Sequence, residues 1–450
     1  MSGDSLEQLA AEVVERAIKR GASAAECIIH EGREFSTVVR LGEIESLKEA
    51  GSKTLGLRVL AGQRSSSAYT SDFSSEALDR AVGNALATAR LTSEDPFAGL
   101  PEAELLGQHP DDLGLYYDDV EALPTAQRIE IARRAEKAAL GADPRITNSE
   151  GASFDAVDGR MILANSLGFV GQYRRSYVSI SVVPIAADNG GMQRDYWYAV
   201  SRSLAGLEDA EAVGRKAAER TLRRLGARKI RTCRVPVVYE PRTARSLMEN
   251  LFDAASGDAV YRQASFLAGR LGEPVASPQV TVWDDGTRVG GFGTSPFDDE
   301  GVPTRRTAVI ENGVLKNYLL NCYAGRKLGL ATTGNASRGV VGNPGIGPGN
   351  FYLPAGPHAP EEILRTVSQG FCVTELLGFG VNMVTGDYSR GAAGMWIENG
   401  EPAYPVEEVT VAGNLLDMFK AIEMVGNDLE FRGSLASPTV KIAEMTVAGL

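Results

Sequence analysis

The residues of this 450-residue chain that could do chemistry are a few acidic groups, three histidines and four cysteines. The acidic groups are Asp284 with Asp285, and Asp298 and Asp299 with Glu300, and each group directly precedes a glycine. Neighbouring carboxylates can act as a general acid and base or bind a hard cation. Because Asp before Gly is also common in turns, we favour a turn over a metal site at both places.

The histidines His30, His109 and His358 lie far apart in the sequence, and neither HExxH nor HExxxH is present. The chain therefore lacks the compact motif in which one helix supplies two zinc ligands. It also lacks GxSxG and GxxxxGK[ST], so a nucleophile-elbow hydrolase and a P-loop nucleotide site are unsupported. The cysteines are scattered without a CxxC pair, which is typical of reduced thiols in a cytoplasmic protein. These motifs alone identify no active site.

The charge of the chain is acidic, with 46 Lys and Arg against 58 Asp and Glu and a net charge of −12. Binding to nucleic acid or to an anionic membrane needs a basic surface, so we expect neither. The longest uncharged run, 339–360, is rich in Gly and Pro and does not resemble a membrane-spanning helix. The first residues do not resemble a signal peptide. We therefore expect a cytoplasmic protein.

The elements that must position these residues divide into two domains near residue 230. In residues 1–229 the predicted helices are 5–20, 75–91, 125–140 and 207–225. The predicted strands are 24–31, 35–41, 53–60, 65–70 and a run of long strands from 145 to 202. Polar and apolar residues nearly alternate in 176–186, which favours an antiparallel sheet with one wet face. We predict a mixed α/β domain with an antiparallel sheet.

Residues 230–450 are predicted to form a β-rich domain with hairpins and a few helices. It opens with a strand at 234–240 and a helix from about Thr243. Two segments, 307–320 and 394–406, share the string Ile-Glu-Asn-Gly, and Asn-Gly between apolar runs is a strong hairpin signal. The short helices are predicted at 323–329, 361–369 and 414–423. The predicted fold class is α+β with two domains.

Several longer stretches carry a family resemblance. In the second half they are 283–329, which contains DDGT and DDEG, TTGNASRG (332–339), TGDYSRGAAGMWIENGE (385–401) and 421–449. In the first half they are 47–74 and NSEGASF (148–154). Together they resemble the TldD–PmbA family of metallopeptidases, first named modulators of DNA gyrase. The TGDYSRGAAG string is similar to the PmbA branch, also called TldE, and the resemblance covers nearly the whole chain.

The resemblance implies a zinc peptidase made of two related subunits. In the TldD branch a helix after the first strand of the second domain carries HExxxH, and a cysteine near the C-terminus helps to bind zinc. The corresponding positions in this chain are Glu249, Asn250 and Ala254, within the helix at 242–260, and residues 431–442 contain no cysteine. The resemblance therefore implies no catalytic residue, metal ligand or cofactor in this chain, with zinc in a TldD-type partner.

The implied function is that of a PmbA/TldE-type subunit of a heteromeric TldD–TldE zinc metallopeptidase, which cleaves unfolded peptides in proteolysis and peptide maturation. The implied partners are a TldD-type subunit and unfolded peptide substrates, and the isolated chain could form a homodimer. Strand augmentation suits such substrates, because main-chain hydrogen bonds supply affinity with little demand on side chains.

We propose two groups of residues for the peptide path. The small residues at 391–394 support the first group, because they allow close backbone approach. The first group is Tyr388, Ser389, Arg390 and Gly391. A glycine-rich turn entering the next hairpin explains this group equally well. The second and weaker group is Asn335, Ser337 and Arg338.

Two other functions also fit the sequence. A self-sufficient metallopeptidase homodimer would use atypical ligands such as Glu249, Asp253 or His358, and would cleave peptides alone in a chelator-sensitive way. A non-enzymatic peptide-binding or gyrase-modulating protein would bind peptides and never cleave them. The missing HExxxH motif argues against the first alternative, whereas only the family resemblance argues against the second.

Overall fold

The computed structural model of the chain describes residues 3–450. Its helices are α1 (Gly3–Lys19), α2 (Ser75–Ala89), α3 (Asp119–Ala122), α4 (Thr125–Leu140), α5 (Ala210–Leu222), α6 (Pro241–Ala255), α7 (Gly257–Tyr261), α8 (Cys322–Leu328), α9 (Pro360–Arg365) and α10 (Leu415–Lys420). The strands of the first half are β1 (Ala24–Arg40), β2 (Glu43–Ala61), β3 (Arg64–Thr70), β4 (Ile146–Asn165), β5 (Val170–Asp188), β6 (Gly191–Arg194) and β7 (Trp197–Ser201). Those of the second half are β8 (Cys233–Tyr239), β9 (Val282–Asp285), β10 (Arg306–Glu311), β11 (Val314–Leu315), β12 (Ala336–Ser337), β13 (Gly345–Ile346), β14 (Phe351–Tyr352), β15 (Gln369–Leu377), β16 (Asp387–Glu398), β17 (Glu401–Asn414), β18 (Ile422–Val425), β19 (Leu435–Ala436) and β20 (Val440–Ala448).

The predicted α+β class is confirmed by this mixture of helices and sheets. Among the described residues no sheet includes strands from both halves of the chain. The exact boundary at 229/230 stays a prediction. None of the helices in residues 3–450 is both long and apolar enough to cross a membrane.

The first half forms one antiparallel sheet of seven strands in the order β3-β2-β1-β4-β5-β6, with β7 also paired to β5. Its central strands β1, β2, β4 and β5 are 17 to 20 residues long. In the central pair, β1 and β4 stay paired from Glu26 with Asn165 to Val39 with Ala152. Such long strands make one sheet broad enough to carry two separate hydrophobic cores.

Two helix pairs cover the same face of this sheet. Helices α1 and α2 pack on Cys27 and Ile29 of β1, and α4 and α5 pack on Phe35 and Val39 of the same strand. All four strand residues have odd numbers, so they point to one face because side chains alternate along a strand. The opposite face meets the second half of the chain, where Phe297 packs against the sheet.

The predicted break between strands 24–31 and 35–41 is wrong, because β1 is continuous. Gly32, Arg33 and Glu34 pair in register with residues 157–159 of β4. These polar and small residues lie between the two helix-covered cores, where no apolar side chain is needed. Their composition therefore resembles a loop although their backbone is a strand.

The second half contains a closed ring of strands and a second sheet. The ring runs β17-β16-β15-β8-β20 and closes through pairing of β20 with β17. The second sheet has the order β11-β10-β9-β14-β19. Helix α6 contacts β15 of the ring and β14 and β19 of the second sheet, so it lies between them. One continuous hydrophobic core joins the three layers.

Both predicted Asn-Gly hairpins are confirmed. Asn312 and Gly313 have φ of 50° and 81°, and Asn399 and Gly400 have φ of 51° and 83°. Two successive residues with positive φ make the type I′ turn that matches the twist of the flanking strands. The turns join β10 to β11 and β16 to β17.

A buried ion-pair network joins the two halves. Glu26 of β1 is 1% exposed and accepts hydrogen bonds from Arg58 Nη1 at 2.7 Å and Arg338 Nη1 at 2.8 Å. Burial alone would raise the pKa of Glu26, but the guanidinium groups of Arg338 and Arg58 hold it below its usual value. A side chain at Gly56 would place its Cβ 1.7 Å from the Val340 carbonyl oxygen, so the segment after Arg338 lies directly on β2.

We expect Glu26→Ala to lower the free energy of unfolding by about 3–5 kcal/mol, because it leaves two buried guanidinium groups without their shared anion. The matched control is Glu76→Ala, which removes an exposed pair with Arg80 on α2 and is expected to cost less than about 0.5 kcal/mol. Chemical denaturation followed by circular dichroism measures both. Equal effects of the two substitutions would contradict a structural role for the buried network.

Candidate functional site

Helix α6, where the TldD branch would carry HExxxH, is held at its first turn by charged residues. Pro241 occupies the first helical position, where its missing N–H costs no hydrogen bond. The preceding residue, Glu240, accepts hydrogen bonds from Arg220 at 2.9 Å and Arg223 at 2.8 Å. Arg242 pairs with Asp195 of the first half at 3.2 Å. The start of α6 is thereby fixed to the N-terminal half of the chain.

The three positions that correspond to the zinc motif do not converge. Glu249 is exposed, Asn250 is half-buried, and Ala254 is 0% exposed within the hydrophobic core. Positions five residues apart are rotated by about 140° around a regular helix, so the first and last face different surroundings. No group of three His, Cys, Asp or Glu residues in the described part of the chain could hold a metal ion. The residues present here do not fit zinc.

The first group of predicted peptide-path residues lies on strand β16 of the ring. Tyr388 is 1% exposed, Ser389 is exposed, and Arg390 and Gly391 are half-buried. The alternative interpretation as a turn is wrong, because these residues pair with β17 from Gly413 to Thr410. Their role in a peptide path stays a prediction.

The second group lies at a cleft between the two halves, which we call the domain cleft. Its volume is about 260 Å³, and the sheet of the first half contributes Tyr173 and Arg175 to its lining. The second half contributes Asn335 and Ser337, together with the charged residues Asp284, Asp298, Asp299 and Arg305. The structure therefore brings two predicted path residues and both acidic groups of the sequence to one place.

Arg338 is adjacent to the domain cleft but its side chain is committed to other contacts. Its guanidinium group binds Glu26, and its main-chain N–H donates to Asp299 Oδ2 at 2.7 Å. These bonds fix one wall of the cleft to the sheet of the first half. Arg338 thus positions Ser337, and its own role in a peptide path stays a prediction.

The acidic group at Asp298 forms the predicted turn. The Gly301 N–H donates to the Asp298 carbonyl at 2.9 Å, and Gly301 has a φ of 84°. The side chain of Asp298 accepts from the main-chain N–H groups of Glu300, Val302 and Ala336 at 2.9 to 3.0 Å. Burial raises the pKa of Asp298 well above its usual value, and the charge of Glu300 adds to this.

The turn predicted at Asp284 and Asp285 begins just after them, because both belong to strand β9 and the turn lies at Gly286 and Thr287, where Asp285 Oδ1 accepts from the Thr287 N–H. The side chain of Asp284 is 2% exposed, and its Oδ2 accepts a hydrogen bond from Asn335 Nδ2 at 2.7 Å. Its Oδ1 has no hydrogen-bond partner among residues 3–450. Val280 and Val282, four and two residues earlier, are also buried. The alternation of these three positions could have indicated an inward-facing carboxyl, but the following Asp285 and Gly286 favoured a turn.

Burial raises the pKa of Asp284 to about 7, although the hydrogen bond from Asn335 opposes the rise. The only charged side chain that contributes to this shift is the neighbouring Asp285, which raises it further. A carboxyl that titrates near neutral pH and lines a cleft can exchange a proton or accept a hydrogen bond from a ligand. The sequence patterns indicate Asp284 as a possible general acid or base but favour a turn, and therefore do not assign it to the site.

Comparison with known proteins identifies the family. Residues 25–89, 118–225 and 232–449 match the models of domain 1, the central domain and the C-terminal domain of the PmbA/TldA metallopeptidases. The chain is 41% identical to "Metalloprotease PmbA" of Escherichia coli O157:H7, over 94% of this chain and 92% of that protein. This chain belongs to the TldD–PmbA family.

The family assignment made from sequence is therefore confirmed, and two further relatives agree with it. "Metalloprotease PmbA homolog" of Haemophilus influenzae is 37% identical over 99% of this chain and 96% of that one. A crystal structure of a putative modulator of DNA gyrase from Bacteroides thetaiotaomicron superposes with a TM-score of 0.93 at 28% identity, covering all of both chains. The TldD–PmbA fold thus extends over the whole chain.

We expect Asp284→Asn to stabilise the protein increasingly as the pH rises from 4 to 7. The folded pKa of about 7 exceeds the ordinary carboxyl value of about 4, so the folded chain binds the extra proton in this window and loses stability with rising pH. The neutral amide removes this loss, which is at most about 4 kcal/mol. Thermal unfolding at several pH values measures the difference from wild type, and a constant difference would contradict the raised pKa.

Proposed function

We propose that this chain is the PmbA/TldE-type subunit of a heteromeric TldD–TldE zinc metallopeptidase that cleaves unfolded peptides. In this proposal zinc belongs to the TldD-type partner, and the present chain supplies part of the chamber wall and of the peptide path. The observation that carries the proposal is the state of helix α6. Its motif positions are Glu249, Asn250 and Ala254. Glu249 faces solvent, whereas Ala254 lies in the hydrophobic core.

This proposal explains how the relatives can be named metalloproteases although helix α6 of this chain has no zinc-binding motif. The relatives from Escherichia coli and Haemophilus influenzae are both named as metalloproteases. A hydrolytic zinc needs about three protein ligands and an open position for water. Within residues 3–450 no three suitable side chains come together. If the partner subunit carries the zinc, the complex can cleave peptides although this chain supplies no zinc ligands.

The chemistry left to this chain is binding and positioning of substrate. The domain cleft offers carboxyl, amide, hydroxyl and guanidinium groups, which can bind the main chain of an extended peptide without selecting its side chains. Such binding suits substrates that share no sequence. The net charge of −12 argues against direct contact with DNA, so any effect on gyrase would be indirect.

The test is a metal count combined with a peptidase assay. We expect the purified chain alone to contain less than about 0.1 zinc per chain and to leave an unstructured peptide intact, because a site with fewer than three ligands binds zinc weakly. Mixed with a TldD-type subunit, it should form a complex that cleaves the peptide. Size-exclusion chromatography with zinc analysis of each peak measures assembly and metal content together.

The control is the same assay with the partner alone and with the partner whose HExxxH glutamate is replaced by Gln. The glutamate variant should assemble with this chain and remain inactive. Chelator-sensitive cleavage by the present chain alone would overturn the proposal in favour of a self-sufficient enzyme. Binding of peptide without cleavage in every mixture would favour a non-enzymatic protein.

A further inference from the structure

The carboxyl of Asp284 is buried without a compensating charge. Glu26, which is equally buried, binds two guanidinium groups, whereas Asp284 has no cation beside it and binds only neutral groups, the amide of Asn335 and the main-chain N–H of Gly349. Its Oδ1 lacks any partner in the described residues, although buried polar atoms are nearly always hydrogen-bonded. An unpaired carboxylate oxygen costs free energy unless a ligand supplies a donor. Asp284 is one of the residues that line the domain cleft.

The other groups of the cleft indicate the chemistry of that ligand. Arg175 and Arg305 carry positive charge, while Asp298 and Asp299 carry carboxyls whose oxygens already accept main-chain N–H groups. The two arginines disfavour a cationic ligand, and the absence of a three-ligand group in residues 3–450 disfavours a metal ion. A neutral ligand with both N–H donors and carbonyl acceptors matches this mixed lining.

The main chain of an extended peptide has this pattern, since its N–H and C=O groups alternate along one edge. We propose that Asp284 binds a main-chain N–H of a peptide in the domain cleft, with Asn335 holding the carboxyl in position. The inference rests on the proposed function, because it names the place where the substrate class of that function is bound.

Asn335 is held for this role by two further hydrogen bonds. Its Oδ1 accepts from Thr333 Oγ1 at 2.6 Å, and its Nδ2 also donates to the Gly347 carbonyl at 3.0 Å. These bonds fix the amide so that its Nδ2 faces Asp284. Asn335 is therefore a positioning residue, and its loss should weaken peptide binding by loosening the carboxyl.

The proposal predicts that peptide affinity depends on pH. An ionised carboxylate is the stronger acceptor for an N–H, so binding should strengthen as the pH rises through about 7, where the pKa of Asp284 lies. The charged groups that face Asp284 across the cleft, namely Arg175, Arg305, Asp298 and Asp299, remain in an Asp284 variant. A pH dependence that arises from Asp284 therefore disappears when only this residue is changed.

The experiment measures binding of a fluorescent, unstructured peptide to the full chain between pH 5.5 and 8.5. The peptide is acetylated, amidated and free of ionisable side chains, so the protein alone titrates. Wild type should bind about tenfold more tightly at pH 8.5 than at pH 5.5. Asp284→Asn should bind about tenfold more weakly than wild type at pH 8.5 and show a flat profile. Asn335→Ala should weaken binding and shift the profile to higher pH, because the hydrogen bond from Asn335 lowers the pKa of Asp284.

The matched control is Asp285→Asn, which changes the neighbouring carboxyl. Asp285 binds Thr287 and does not line the cleft, so peptide affinity at pH 8.5 should remain that of wild type. The pH dependence should persist with its midpoint at slightly lower pH, because the charge of Asp285 raises the pKa of Asp284. A peptide with an N-methylated main chain tests the donor and should bind at least tenfold more weakly. If only a lysine-containing peptide binds, the ligand is an ammonium group and the proposal is overturned.

The outcomes separate this inference from the proposed function. If the complex with a TldD-type partner cleaves peptides while Asp284→Asn keeps wild-type affinity and pH profile, the inference is wrong and the proposed function stands. If the chain binds peptides through Asp284 but the complex never cleaves them, the proposed function is wrong and the binding site stands. Failure of wild type to bind peptide at any pH overturns the inference directly.

Discussion

The burial of carboxyl groups at the boundary between the two halves is the constraint on which the rest of the structure depends. A carboxylate removed from water needs a cation or several hydrogen-bond donors. Glu26 obtains both from Arg58 and Arg338, and Arg338 also donates its main-chain N–H to Asp299. The sheet of the first half and the loops of the second are therefore held together by charge, and the domain cleft exists because they meet there.

Asp284 breaks this rule within the same boundary. It is as buried as Glu26 but binds only neutral N–H groups, so its proton is retained up to about neutral pH. Helix α6, by contrast, provides no metal site. Of the positions that correspond to the zinc motif, Glu249 faces solvent and Ala254 lies in the core. The chain thus has the fold of a metallopeptidase family, while its buried carboxyl without a cation, Asp284, lies in the domain cleft and not on helix α6.

Local patterns in the sequence predicted the helices and hairpins well, since caps, glycine stops and Asn-Gly turns act over a few residues. Helix α4 begins and ends where its pattern indicated, and α2 ends two residues early. The continuous strand β1 was missed because its polar centre lies between two cores. The domain cleft could not be predicted, because Tyr173 and Asn335 come together only through the packing of distant segments. The resemblance to a family supplied the rest of the functional prediction.

The closure of the ring in the second half has a consequence for how the protein folds. Strand β8 opens that ring and β20 closes it, and Cys233 of β8 contacts Val447 of β20 across a sequence separation of 214 residues. Contacts so distant in sequence form slowly, because the intervening chain must first give up its conformational freedom. The hairpins of β1 with β2 and of β4 with β5 have no such delay. The first half can therefore serve as a preformed surface on which the later strands assemble.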